Sequence, residues 1–175
     1  MRPALPATFL PGTVPLRTVA LMGVLASSLA LAVAHGSELW GGLNPCPLCL
    51  WERWPYRAAA VIGILAALLP PRQARPLLWL MVLALAAAAA LGFTHAGVEF
   101  GWWPSPLPQC LAPRFSGGSI ADRLASMPLR PSKSCEDPEF LIPDLPLSMA
   151  SMNFLYAFAL TALLALYSLP TGRRR

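Results

Sequence analysis

The composition of this 175-residue chain is that of a membrane protein and not of a soluble domain. Hydrophobic residues make up 56% of it and charged residues only 12%, about half of the roughly 25% that soluble domains carry. The net charge of +5 could indicate a nucleic-acid-binding protein or basic residues at a membrane surface. The positions of those charges favour the membrane, so no nucleic-acid partner is expected.

The N-terminal part predicts a tail, residues 1–17, and a first membrane-spanning helix at about 18–36. A window of 20 uncharged residues separates Arg17 from Glu38, and crossing the bilayer core takes roughly 20 apolar residues. The same stretch, with Ala-Val-Ala at 32–34, also resembles a secretory signal with a cleavage site. Cleavage would leave three helices and a periplasmic N-terminus.

A second helix is predicted at about 50–69, after an outer loop at 37–49. Its uncharged core, 58–71, holds only 14 residues, which is short for a membrane span. We therefore expect it to span the membrane only by including the turns before that core, with Glu52 and Arg53 at its outer end.

Two longer uncharged windows predict a third helix at about 77–95 and a fourth at 148–169. The windows hold 23 and 28 residues, at 76–98 and 145–172. Both are long enough to cross a bilayer as a helix.

The loop between these two helices, 96–147, is the one substantial aqueous segment of the sequence. Within it, Ser119 to Met127 places Ile120, Leu124 and Met127 on one face. This spacing predicts a short amphipathic helix that could lie on the membrane surface. The chain ends in a basic tail, 170–175.

The distribution of charged residues predicts how the helices are oriented across the membrane. Basic residues accumulate on the cytoplasmic side of membrane proteins. Here both tails and the short connection at 70–76 contain arginines and no acidic residue, while all eight carboxylates lie elsewhere. Both termini are therefore predicted to be cytoplasmic, and the loops 37–49 and 96–147 periplasmic. The predicted fold class is an all-α membrane protein: a four-transmembrane-helix bundle with a long periplasmic loop that carries a short amphipathic helix.

All four cysteines fall in the two outer loops. Cys46 and Cys49 form a C-x-x-C pair, and Cys110 and Cys135 lie in the long loop. In an oxidising compartment such a set predicts disulfides, so two structural bonds are one interpretation. A C-x-x-C pair, however, closes too small a loop to stabilise much, and its geometry suits reversible exchange. Zinc held by four thiolates is disfavoured, because the second pair lacks the spacing of a zinc knuckle. No metal is expected.

The surroundings of the C-x-x-C pair favour reactivity. Pro47 is suited to the first position of a helix, so Cys46 is predicted to be its N-cap. A thiolate there meets free N–H groups and the positive end of the helix dipole, which lowers its pKa. Arg53, four positions after Cys49, lies on the same helix face. It could stabilise a thiolate and hold a carbonyl ligand, or it could simply anchor the helix at the membrane surface.

A longer run around this pair, from Asn44 to Arg53, reads Asn-Pro-Cys-Pro-Leu-Cys-Leu-Trp-Glu-Arg and is followed by Tyr56. Further matching positions are Thr94-His95, Trp103-Pro104-Ser105-Pro106 ahead of Cys110, and Ser134-Cys135. Together they resemble the signature of the DsbB family of disulfide bond formation proteins, from helix 1 to helix 4. The resemblance implies four spans in the bacterial inner membrane with cytoplasmic termini, which argues against signal cleavage.

The resemblance also implies a relay, which would make the chain a protein-dithiol:quinone oxidoreductase. A reduced periplasmic oxidant of the DsbA type, a thioredoxin-fold protein, attacks Cys110, whose partner is Cys135. The Cys46–Cys49 disulfide reoxidises this loop pair, and Cys49 then faces a quinone of the membrane pool, ubiquinone or menaquinone.

Two further residues carry over from the family by position. Arg53 matches its quinone-site arginine, and His95 matches a histidine near that site, although a lone histidine at a helix end is commonly just an interfacial residue. Two other functions stay open: a vitamin-K-epoxide-reductase-like thiol oxidoreductase, and a non-catalytic membrane subunit with two structural disulfides. Structural bonds would persist when quinone is depleted, whereas relay bonds would become reduced.

Overall fold

A computed structural model describes residues 14–110, 119–121, 133–142 and 145–169. Within these ranges the chain is helical and contains no β-strand. The α-helices are α1 (Leu16–Leu39), α2 (Pro47–Leu68), α3 (Pro71–Glu99) and α4 (Met149–Ser168), and a 3-10 turn covers Pro108–Cys110. Of the amphipathic helix predicted for Ser119–Met127, only 119–121 belong to the described residues.

Helices α1, α2 and α3 are all longer than the sequence suggested, and the extensions of α2 and α3 shape the site. Helix α2 begins at Pro47, three residues early, because Pro47 at its first position and the Cys46 side chain complete its N-terminus. Helix α3 begins at Pro71 and accommodates Pro76 within its first turns. It also continues to Glu99, one turn beyond the predicted end, which places Glu99 on the same face as His95.

Three of the four helices, α1, α3 and α4, are long and apolar enough to cross a membrane, with mean hydropathies of 1.9, 2.2 and 1.7. Helix α2 is not among them, because charged residues interrupt its first half. Successive helices pack against each other along the chain, and α1 also touches α4, so the four form a closed bundle.

The core of this bundle is built around α3. Leu78, Met81 and Leu85 of α3 are fully buried, and small residues on the other helices let them approach. Gly23 of α1 and Gly63 of α2 both lie against the Met81 side chain, where an added Cβ would collide. The opposite faces of the helices expose large apolar side chains, an arrangement suited to contact with lipid.

Candidate functional site

The two cysteine pairs meet where α2 begins and α3 ends. Cys46, Cys110 and Cys135 are buried in one hydrophobic cluster with Leu48, and Cys49 packs against it. Cys110 and Cys135 form a disulfide, which is the pairing that the family resemblance implied. Cys46 and Cys49 are free thiols whose Sγ atoms lie 2.8 Å apart. Cysteines that lie far apart in sequence therefore belong to one cluster.

Cys46 is the N-cap of α2, as its position before a proline predicted. Its Sγ accepts a hydrogen bond from the backbone N–H of Cys49 at 3.1 Å. The pKa of Cys46 is lowered, first by the hydrogen bond with the Cys49 side chain and also by this N–H, although burial opposes the shift. The direction agrees with the prediction, and the pKa of Cys49 is raised by the same hydrogen bond and by burial, so Cys46 is the thiol of the pair that ionises more readily.

A buried histidine–carboxylate pair stands beside Cys46. The Nε2 atom of His95 lies 3.5 Å from Cys46 Sγ, and its Nδ1 atom lies 2.8 Å from Oε1 of Glu52. The other oxygen of Glu52 accepts a hydrogen bond from Asn153 Nδ2 at 2.8 Å. The hydroxyl of Tyr56 donates a hydrogen bond to the side-chain Oδ1 of Asn153 at 2.7 Å. This network joins α2, α3 and α4 and holds the imidazole with one nitrogen towards the thiol.

A second buried carboxylate, Glu99, lies on the other side of the imidazole. Its Oε1 atom is 4.0 Å from His95 Nε2, and the hydroxyl of Ser148 donates to its Oε2. Ser148 also caps α4 by accepting the backbone N–H of Ser151. The imidazole is thus flanked by two carboxylates and the thiol of Cys46.

Arg53 is buried, with 7% of its surface exposed. Its Nη2 donates to Glu38 at the end of α1. Its Nε is also buried and has no hydrogen-bond partner among the described residues. An anchoring arginine keeps its guanidinium in water or among headgroups, so this burial favours a role inside the protein.

A cavity of about 250 Å³ lies between α1, α2 and α4. Most of its lining is apolar, and its polar border comes from Cys49, Glu52, Arg53, Tyr56 and Asn153, together with Tyr156. A smaller cavity, of about 30 Å³, borders Cys46, Cys49, His95 and Glu99.

The two predicted quinone-site residues differ in which cavities they border. Arg53 borders both cavities. His95 borders only the smaller cavity. Glu52, which contacts His95, borders the larger cavity.

Sequence reasoning did not single out Asn153, Glu38 or Glu99 as members of this site. Asn153 could have been noticed, because an amide within an otherwise apolar membrane window is costly unless it has a partner. The spacing of Glu99 four residues after His95 was a second available signal. Nothing in the sequence indicated that Glu38 pairs with Arg53.

Two cysteine pairs thus share one cluster in a helix bundle, three of whose helices are long and apolar enough to cross a membrane. The profile of the family described as disulfide bond formation protein DsbB matches residues 16–167, and the chain belongs to the DsbB family. Membership and the apolar helices together point to a protein of the bacterial inner membrane.

Relatives support this assignment. A Disulfide bond formation protein B of Xanthomonas oryzae pv. oryzae is 38% identical over 81 residues, 46% of this chain and 42% of that protein. One of Methylococcus capsulatus is 30% identical over 118 residues, 63% of this chain and 70% of that protein. An uncharacterized protein of Rickettsia prowazekii is 29% identical over 147 residues, 83% and 84% of the two chains. The matched stretch thus spans less than half of the Xanthomonas protein. No solved structure matches.

Proposed function

We propose that this chain reoxidises a periplasmic DsbA-like dithiol protein and passes the electrons through Cys110/Cys135 and Cys46/Cys49 to a membrane quinone. The supporting observation is that both cysteine pairs share one buried cluster and that Cys49 borders an apolar cavity. Two disulfides with a purely structural role do not exchange with each other and would not need to lie close together. The proposal includes α2 as a fourth span and both termini in the cytoplasm.

The first half of the reaction is thiol–disulfide exchange. A thiolate of the reduced partner attacks Cys110 and releases Cys135, and the partner's second thiol then displaces Cys110 to complete the partner's disulfide. The loop pair, now two thiols, reduces the Cys46–Cys49 disulfide by the same chemistry. Each transfer breaks one disulfide and forms another. Two electrons therefore pass first from the partner to the Cys110–Cys135 pair and then to the Cys46–Cys49 pair.

The residues around Cys46 assist these exchanges. Hydrogen bonds from Cys49 favour the Cys46 thiolate, which makes it a good leaving group and a good nucleophile. His95 presents Nε2 to the same sulfur and is placed to take the thiol proton, while Glu52 holds the ring by Nδ1. We therefore propose that His95 handles the proton of Cys46 and does not bind the quinone itself.

The larger cavity fits the ring of a quinone. Its volume of about 250 Å³ is just below the roughly 300–1,000 Å³ of pockets for drug-sized ligands, which suits a head group and not its isoprenoid tail. Its lining is mostly apolar, and the unpartnered Nε of Arg53 is a donor that a carbonyl oxygen would satisfy. A bound quinone would accept two electrons and two protons from the Cys46–Cys49 pair.

The test is oxidation of a reduced DsbA-like partner by the purified protein in detergent with a soluble quinone. Partner thiols and quinone absorbance are followed together. We expect one quinone to be consumed per partner disulfide formed, and we expect a Cys49→Ser variant to exchange with the partner without consuming quinone. If the wild-type protein consumes no more quinone than this variant does, the proposal is wrong. Persistence of both disulfides in quinone-depleted membranes would instead support the structural interpretation.

A further inference from the structure

The fold brings an imidazole to the C-x-x-C pair, and this creates a donor set that the sequence does not reveal. The spacing of the four cysteines is unsuitable for zinc held by four thiolates. The structure groups the two thiols of Cys46 and Cys49 with the Nε2 atom of His95 instead. We propose that these three residues bind a single zinc ion when the C-x-x-C pair is reduced.

The distances suit tetrahedral zinc. The three donor atoms all lie within 4.8 Å of one another. Zn–S bonds of about 2.3 Å and Zn–N bonds of about 2.0 Å place tetrahedral donors roughly 3.5–3.8 Å apart. Cys46 Sγ and His95 Nε2 already stand at 3.5 Å. The two sulfurs, at 2.8 Å, need to separate by about 1 Å, so binding requires the half-buried Cys49 side chain to rotate.

The imidazole is already oriented as a ligand. Glu52 lies 2.8 Å from Nδ1, so the neutral ring carries its proton there and leaves the Nε2 lone pair towards the thiols. Metal-binding histidines commonly have such a carboxylate on the other nitrogen, which fixes the tautomer and raises ligand basicity. Asn153 holds Glu52 in turn.

Space and charge also favour a cation here. The cavity of about 30 Å³ is bordered by all three ligands and by Glu99, and roughly 10–15 Å³ suffices for one water-sized occupant. The carboxylates of Glu52 and Glu99 both contact the imidazole and would offset the charge of the ion. Glu99 or water would complete the coordination.

Binding involves no electron transfer. Two Zn–S bonds form, and the two thiol protons are released. Oxidation of the pair to a disulfide removes both thiolates and therefore expels the ion, so the site exists only in the reduced protein. While zinc is bound, Cys46 and Cys49 could not take part in thiol–disulfide exchange. This consequence rests on the proposed function, whereas zinc binding itself does not.

The experiment uses the full chain in detergent with Cys110→Ala and Cys135→Ala, so that only the C-x-x-C thiols can respond. Reduced, desalted protein is titrated anaerobically with Co²⁺, whose thiolate charge-transfer and tetrahedral d–d bands report the ligands, and Zn²⁺ then displaces it. We expect one equivalent per chain in the reduced protein and none after oxidation to the disulfide.

Single substitutions on this background identify the ligands. His95→Asn keeps a donor for Glu52 but lacks Nε2, and we expect binding at least 10-fold weaker. Glu52→Gln should weaken binding by about 10- to 100-fold, as expected when the partner of a metal-ligating histidine is lost. His35→Asn is the matched control, because His35 is exposed on α1 and its hydrogen bond among the described residues is to the Leu31 carbonyl.

Three outcomes would overturn the proposal: no binding to the reduced pair, equal binding by the oxidised protein, or unchanged affinity in His95→Asn. Neither quinone nor partner is present in this titration. A negative result would therefore leave the proposed relay untouched, and failure of the relay assay would not affect the metal site.

Discussion

Replacing Arg53 by lysine separates a quinone-site role from an anchoring role. In the wild-type protein Nη2 donates to Glu38, and the buried Nε has no partner among the described residues. Lysine can keep the ion pair with Glu38 but cannot offer a second donor in a fixed planar arrangement. If Nε binds the carbonyl of a quinone, the variant loses this one interaction and little else.

The magnitude follows from that single hydrogen bond. A hydrogen bond from a charged donor is worth about 1.5–3 kcal/mol, and each 1.4 kcal/mol is tenfold in affinity. We therefore expect Arg53→Lys to raise the apparent KM for quinone by roughly 10- to 150-fold. Arg53→Ala should be worse, because it also leaves Glu38 without its partner.

The assay is a quinone titration of steady-state partner oxidation, accompanied by a single-turnover exchange with the partner in the absence of quinone. Exchange should stay near the wild-type rate in Arg53→Lys. Arg57→Lys is the control, since Arg57 lies one turn further along α2, is exposed, stacks over Trp54 at 5.2 Å and does not border the cavity. Wild-type quinone dependence in Arg53→Lys would refute the reasoning, and Arg53 would then be an anchor.

Three further predictions concern the Cys110–Cys135 pair, the packing of the helix bundle and the thiol of Cys46. Cys135→Ala should trap Cys110 in a mixed disulfide with the partner on a non-reducing gel, and absence of this adduct with active partner would contradict the assigned roles. Gly92→Val should destabilise the protein by about 1–3 kcal/mol, because an added Cβ meets the Phe154 backbone at 3.0 Å; an unchanged melting temperature in detergent would argue against this close contact. Alkylation of reduced Cys46, followed by mass spectrometry, should rise with pH around a midpoint below the roughly 8.5 of an unperturbed cysteine, since its lowered pKa shifts thiolate formation to lower pH. A midpoint at or above that value would be inconsistent with stabilisation of the thiolate.

The sequence was sufficient for features that depend on near neighbours along the chain. Long uncharged windows predicted helices where α1, α3 and α4 lie, because hydrophobic length is a local property. The proline after Cys46 predicted the N-cap and its lowered pKa, because the groups that stabilise the thiolate belong to the next turn of the same helix. The C-x-x-C run and its Glu-Arg pair also sufficed to identify the family.

Only the tertiary structure decided which side chains meet between helices. His95 was expected near the quinone site by its position alone, and the sequence did not indicate its contacts with Cys46 and Glu52, which lie 49 and 43 positions away along the chain. Asn153 reaches Glu52 across 101 positions. Such contacts depend on how each helix is rotated about its axis, and a helix that is apolar on nearly every side has no polar–apolar periodicity to indicate that rotation. Packing of small residues and a few buried hydrogen bonds determine it instead.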